Sequence, residues 1–242
     1  MAIAVAVVLV LSVLSIGLFV LRQDVVTPPS YRLHVWHTDP GQRLTAKLPD
    51  GSTVQLCGES TLWYLVPFDA RTVVLHGEGL FEVVRDPAHP FSVKTAKGKV
   101  EVLGTSFTVR SYRESAETTV SVLRGLVACT AYGSNGSVHL HPGEAVRFSR
   151  QTVSDKVHMP TAEMGLWTQD VLHFDHAPLP QVLADVERWF GVRIHAGTGV
   201  DQTAGTFRGT FTSPTIQQVL ESICFSLNLR YRLDGHDVYL YP

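Results

Sequence analysis

The stretch LHGEGLFEVVRDPAHPFSVKT, residues 75–95, holds in miniature the grammar of the first two thirds of the chain. An aliphatic run closes on Gly77, a second strand-like run (LFEVV) follows, a proline-bounded loop intervenes, and FSVKT starts a third run. Glycine tolerates positive φ, so a chain can change direction there without a Cβ clash. The same form recurs at VVLHG (73–77), VEVLG (100–104), VSVLRG (120–125) and VHLHPG (138–143), followed in turn by LFEVV, SFTVRS, LVACTA and EAVRF. These units are unevenly spaced, which predicts stacked strands of a β-solenoid-like or sandwich layer rather than a strict repeat. Gly77, Phe81, Val83, Pro90, Phe91 and Val93 need no role beyond a β core with turns.

Working outward, residues 41–150 read as short β runs broken by glycine, with hairpin loops at Asp50-Gly51 and at Ala96-Lys97-Gly98. Residues 22–40, with Pro28 and Pro29, read as a juxtamembrane linker or first edge strand. Ala2–Leu21 is twenty residues without a charge, long enough as a helix to match a bilayer core. It is predicted to be a transmembrane helix. A secretory signal peptide, the rival reading, would bring a basic n-region, a shorter apolar core and a small-residue cleavage site. Flanking charge barely orients such a span, since Arg22 is nearly offset by Asp24, and the lack of a cysteine before Cys57 argues against a lipoprotein anchor.

After a linker at 151–166 the pattern changes, and residues 167–242 alternate strand and helix. VLHFDH reads as a strand, Pro178 opens a helix, and Leu179, Val182, Leu183, Val186, Trp189 and Phe190 share one face that Gly191 ends. A second round has GTFRGTF as strand, Ser213-Pro214 as cap and first turn, and Ile216, Val219, Leu220, Ile223, Cys224 and Leu227 on one face. The rounds superpose at an offset of 37 residues, as Leu179 with Ile216 and Phe190 with Leu227 show. A doubled βαβ unit with both helices on a small sheet accounts for that offset. So small a module is expected to be marginal alone and to lean on the β half or on a partner. The fold class is therefore mainly β with a C-terminal α+β domain.

The 242 residues carry a net charge of −2 and are 45% hydrophobic, which fits neither disorder nor nucleic-acid binding. No G-x-S-x-G, P-loop, H-E-x-x-H or paired-carboxylate signature occurs, so neither a conventional enzyme nor a cofactor is expected. His34/His37, His139/His141 and His173/His176 are close in sequence, but they lack Cys or carboxylate partners at metal-ligand spacing. Cys57 and Cys129 could pair in an exported domain; the favoured reading keeps them and Cys224 as buried thiols.

The motifs LPDGSTVQLCGESTLWY, RTVVLHGEGLFEVVRDPAHPFSVKT, VEVLGTSFTVRSY, TVSVLRGLVACTA and LHPGEAVRF, in that order, resemble the extracytoplasmic domain of FecR-type sigma-factor regulators. Residues 168–242 are similar to the family's small C-terminal domain, of the secretin and TonB-receptor short N-terminal (STN) kind. The resemblance implies an inner-membrane, single-pass protein with its bulk in the periplasm. Its partner would be the STN-type signalling domain of a TonB-dependent outer-membrane receptor for iron chelates or glycans. A cytoplasmic N-terminal helical segment would hold an extracytoplasmic-function sigma factor. Only Met1 precedes the apolar run, so either that segment is missing from this chain or the protein is a split member that keeps sensor and anchor.

The resemblance also marks Gly104-Thr105, because some family members are thought to cut themselves at a Gly-Thr step in this V-x-V-x-G-T-x-F-x-V setting. There the threonine hydroxyl attacks the preceding carbonyl. The competing reading is a structural strand corner. For partner docking, Thr206, Phe207, Arg208, Gly209, Thr210, Phe211 and Thr212 are expected to form an exposed strand suited to β-augmentation; an internal strand is the alternative. The second functional class is a structural or assembly protein that docks to an outer-membrane pore.

Overall fold

In the computed structural model, residues 30–201, 203 and 205–242 are described. The expected membrane helix at 2–21 lies outside them, and among the described residues no helix is long and apolar enough to cross a membrane. The strands run in chain order as β1 (Arg32–Thr38), β2 (Leu44–Lys47), β3 (Thr53–Leu56), β4 (Ser60–Val66), β5 (Thr72–Glu82), β6 (Phe91–Lys94) and β7 (Gly98–Val102). Then come β8 (Ser106–Ser111), β9 (Thr118–Arg124), β10 (Val127–Ala131), β11 (Val138–Leu140), β12 (Glu144–Phe148) and β13 (Val157–His158).

These thirteen strands form one sheet curled around one core. The long β5 belongs to two leaves. Its first half pairs with β4 and β6, in a leaf ordered β1-β4-β5-β6-β7-β10-β11. Its second half pairs with β3 and β8, in a leaf ordered β2-β3-β5-β8-β9-β12-β13. Every pairing is antiparallel except β5 with β6, so among the described residues there are no parallel-stacked coils of a solenoid, and the sheet folds over as a half-barrel.

The four recurrent glycines take on a sharper meaning here, because each stands where the chain passes from one leaf to the other. Gly77 is not a turn, as the motif suggested, but a bend inside β5. Its φ is +106°, and a Cβ there would lie 2.6 Å from the Cα of Ser60 on β4. Gly104 links β7 to β8, Gly125 links β9 to β10, and Gly143 links β11 to β12; all have positive φ. Alternation fills the enclosed space with Leu56, Leu62, Leu75, Phe81, Phe91, Phe107 and Phe148, all fully buried. β1 pairs with β4 along its whole length and is the edge strand of its leaf. The hairpins expected at Asp50-Gly51 and at Ala96–Gly98 are present.

The C-terminal region consists of β14 (Val171–Pro178), α1 (Leu179–Phe190), β15 (Arg193–Ala196), β16 (Thr206–Thr212), α2 (Ile216–Leu227), β17 (Arg230–Asp234) and β18 (Asp237–Tyr241). Both helices have twelve residues, and they start and stop 37 residues apart. Their left-handed C-caps, Gly191 and Asn228, keep the same offset. β14 and β16 pair antiparallel, with His173 opposite its own equivalent, Thr210, so a local two-fold relates the two rounds. The single small sheet expected is instead two, because β18 inserts between β15 and β17 while β14 pairs only with β16. The second helix is capped by Thr215 in a capping box with Gln218, not by Ser213, because only Thr215 can exchange hydrogen bonds with that position. Both predicted apolar faces are inward, and Leu179, Val182, Val186, Val219, Leu220 and Ile223 are fully buried in a second core.

Arg32–Pro242 is nevertheless one unit. Residues 151–166 are part of it, since β13 extends the sheet and Met164 is buried beside Trp167. Cys57, Cys129 and Cys224 are free and buried. Burial pushes the thiols of Cys57 and Cys129 up to about 12 and that of Cys224 up to about 11.

Candidate functional site

The C-terminal module leans on the curled sheet through one side of α1. The helix buries its aliphatic face in its own core, which turns Asp185, Arg188 and Trp189 toward the sheet. Arg188 Nε donates to Glu59 Oε2 at 3.0 Å and Nη1 to Asp185 Oδ1 at 3.0 Å; Nη2 donates to Glu114. Arg110 on β8 reaches the other way, with Nη1 2.7 Å from Glu78 Oε2 and Nη2 on Asp185. Asp185 is thus shared between two arginines from different layers. Tyr112 stands in the middle: its ring meets the Arg188 guanidinium at 3.9 Å and that of Arg110 at 4.9 Å, and its hydroxyl donates to the Gly58 carbonyl at 3.0 Å.

Burial pushes the Glu78 carboxyl up, against the pull of Arg110. Burial also works against the Arg110 charge, yet Asp185 and Glu78 hold its pKa well above the ordinary arginine value. Arg110 bridges Glu78 and Asp185 by hydrogen bonds, a geometry in which removing one member leaves the others uncompensated.

The backbone adds a second grip. Gly41 N donates to the Arg188 carbonyl at 2.7 Å, and a Cβ on Gly58 would lie 2.6 Å from that same oxygen. Arg43 lies 4.1 Å from the Trp189 ring centre and pairs with Asp170. Between the layers lies a cleft of about 200 Å³, lined by Thr108, Ser121, Met164, Trp167 and His173 as well as the charged residues. Trp167 Nε1 is buried without a hydrogen-bond partner among the described residues.

Of the residues singled out from sequence, Gly104 and Thr105 sit at a leaf crossing. Gly104 has φ +145°, and a Cβ there would lie 2.5 Å from the Arg85 Cα. Thr105 is buried, and its hydroxyl donates to the Leu126 carbonyl at 3.1 Å. Residues Thr206–Thr212 form β16, which pairs with β14 on one side only among the described residues. Phe207 points into the core, while Arg208, Thr210 and Thr212 are exposed. The two predicted sites are therefore far apart in the fold and do not build one constellation. The sequence reading missed the ionic cluster. Its one local signal was a pair of charges, Asp185 and Arg188, flanking an apolar helical stripe at i, i+3. Among the described residues no group of histidine, cysteine and carboxylate side chains is placed to hold a metal ion.

A half-barrel of glycine-cornered strands, with a doubled helical module clamped to it by ion pairs of the buried Arg188, defines a two-layer architecture that known proteins share. The family model described as FecR protein matches residues 34–128, and that described as FecR, C-terminal matches residues 171–240. The chain belongs to the FecR family. Two crystal structures of a candidate anti-sigma factor from Parabacteroides distasonis ATCC 8503 are similar to it. The first, at 2.50 Å, is 29% identical with a TM-score of 0.80, covering 87% of this chain and 99% of the other. The second, at 1.65 Å, is 28% identical with a TM-score of 0.79, covering 86% and 98%. No protein of curated function matches.

Proposed function

We propose that the chain is a membrane-anchored periplasmic regulator of an extracytoplasmic-function sigma factor, which relays the state of a TonB-dependent outer-membrane receptor by protein contact. Ala2–Leu21 would be the anchor, and everything after it would lie in the periplasm. A direct hold on the sigma factor would need a cytoplasmic segment in addition to the anchor and the periplasmic part. The observation that carries the reading is the clamp at Arg188: it joins a small docking module to a stiff sheet, so a force on one is felt by the other. Family membership and the likeness to a candidate anti-sigma factor support it.

Docking is assigned to the C-terminal module, where β16 has an edge unpaired among the described residues and α2 presents Phe225, 91% exposed. A photo-crosslinking residue at position 225, in cells that express the receptor, should capture the receptor's periplasmic signalling domain. Phe225→Ala should weaken binding of that isolated domain to the full chain in nanodiscs by about thirtyfold, as expected of an aromatic anchor. Protease added to spheroplasts should digest the chain beyond residue 22. Protection of that part, or unchanged binding by Phe225→Ala together with no receptor crosslink, would overturn the reading.

A further inference from the structure

A second hollow, of about 320 Å³, opens on the far side of the Glu59–Glu114 pair from the cleft described above. That is the lower end of the size usual for small-molecule sites. Two of its lining side chains are an aromatic pair: the Trp63 indole lies with its ring centre 5.4 Å from that of His76 at a 37° tilt. Arg113 Nε donates to His76 Nδ1 at 3.0 Å. That bond makes Nδ1 the acceptor, so the ring proton is on Nε2, and the imidazole is a fixed donor. Burial, then Arg113 and Lys97, lower the His76 pKa, a shift that favours the neutral ring. Glu59 and Glu114 also line the hollow; each gives one oxygen to Arg188, and both side chains remain half-exposed as acceptors. His37, hydrogen-bonded to the Thr61 hydroxyl at 2.9 Å, closes a third side.

The charges here cancel: two carboxylates face Arg113 on one side and Arg188 behind. A cation would meet the guanidiniums and an anion the carboxylates, so neither has a net advantage. What the hollow offers is a flat indole together with carboxylate acceptors and imidazole and guanidinium donors in one lining. We infer that the hollow between Trp63, His76, Glu59 and Glu114 is a binding site for a neutral polyhydroxylated small molecule, a polyol or sugar. Such a ligand lays its C–H face on the indole, donates hydroxyl protons to Glu59 and Glu114, and accepts from His76 Nε2 and Arg113. Because the same two carboxylates hold Arg188, occupancy draws on the clamp between α1 and the sheet. The site is thereby coupled to the relative strength of that clamp. This goes beyond the regulator reading and does not depend on which receptor the module meets.

The test uses the full chain in lipid nanodiscs, since maltoside detergents carry sugar headgroups of their own. Saturation-transfer NMR would be run with glucose and myo-inositol as neutral probes, and with glucuronate and glucosamine as charged analogues. At least one neutral probe should show saturable transfer to its ring protons, with both charged analogues about tenfold weaker. Trp63→Ala should abolish the transfer and Trp63→Phe should keep it. Should Trp63→Ala fail to fold, His76→Phe and Glu114→Gln, which preserve shape, should each weaken binding about tenfold. No saturable transfer from either neutral probe, equal binding of the charged analogues, or retention in a folded Trp63→Ala or in both His76→Phe and Glu114→Gln would overturn the assignment.

Discussion

Arg188 and Phe225 hold equivalent positions in the two rounds of the C-terminal repeat, 37 residues apart, yet Arg188 is 6% exposed and Phe225 91%. The local two-fold that relates α1 to α2 is thus broken by function of place. One helix spends this position on the sheet beneath it, where a cation can reach Glu59, Asp185 and Glu114. The other leaves it in water, occupied by a residue that gains nothing from water. A pair of like helices with unlike outer faces lets one small module hold its own sheet and leave an aromatic side chain in water.

The Arg188 clamp should be worth a measurable part of the stability of the chain. Arg188→Met keeps an unbranched side chain but takes the guanidinium off the Tyr112 ring and leaves Glu59 and Glu114 without their partner. The expected loss is about 3 kcal/mol, at the low end for a broken buried pair because those two carboxylates reach water. Urea unfolding would measure it. Hydrogen exchange should quicken in Leu179–Phe190 and stay slow in the strands around Phe81 and Phe107; uniform quickening would mean that the clamp does not localise at α1.

Gly58 tests the same interface through the backbone. Its φ is ordinary, so alanine is not strained there, but the added methyl would lie 2.6 Å from the Arg188 carbonyl oxygen. Gly58→Ala should therefore cost about 1–3 kcal/mol as an overpacking change. Gly136→Ala, where the added Cβ meets nothing within 4 Å, is the control and should change the urea midpoint little. Equal midpoints for Gly58→Ala and the wild-type chain would show that α1 rides further from the sheet than the structure has it.

Much of this was legible in the amino-acid order because it is local. The helices could be read from apolar residues three and four apart, and their 37-residue offset survives to the last residue of each. The leaf-crossing glycines announced themselves after each aliphatic run, although Gly77 turned out to be a bend within one strand, since only the approach of Ser60 explains it. The clamp was hidden because it is not local. Arg188 meets Glu59 across 129 residues and Glu114 across 74, and no periodicity records a pairing of that range. The edge of β16 was also undecidable, because β18 filling the other sheet is what leaves β14 and β16 as a two-stranded sheet among the described residues.

Asp237 should titrate far below an ordinary aspartate. Arg193 grips both of its oxygens, at 3.0 and 2.8 Å, and His195 Nε2 lies 2.8 Å from one of them. Together these hold the carboxyl at about 2, against an ordinary value of 3.8. A depressed acid stabilises the fold above its unfolded value, and the contribution is lost as pH falls through the folded one. The window is therefore pH 3.8 down to about 2. Carbon-detected NMR of the carboxyl should give a midpoint near the lower value, and Arg193→Leu should move it up toward 3.8. A wild-type midpoint already at the ordinary value would mean that the bidentate pair does not form in solution.

If Gly104-Thr105 is a self-cleaving step, the chain should be cut yet remain whole in size. The Thr105 hydroxyl would leave the Leu126 carbonyl, attack the Gly104 carbonyl carbon and break the amide, giving an ester on its own oxygen and a free Thr105 amine. Water would then hydrolyse the ester, leaving a carboxylate on Gly104 and restoring the hydroxyl. The positive φ of Gly104 and its close approach to Arg85 forbid a side chain there, whether or not the bond breaks. The two outcomes separate on gels. After cleavage, β5 would still pair with β8 and β7 with β10 across the break, so the pieces should co-elute in native chromatography. Under denaturing conditions, wild type and Thr105→Ser should give two bands and Thr105→Ala one. A single band for all three would leave Thr105 as a buried hydroxyl that ties one leaf crossing to the next, through Leu126, and nothing more.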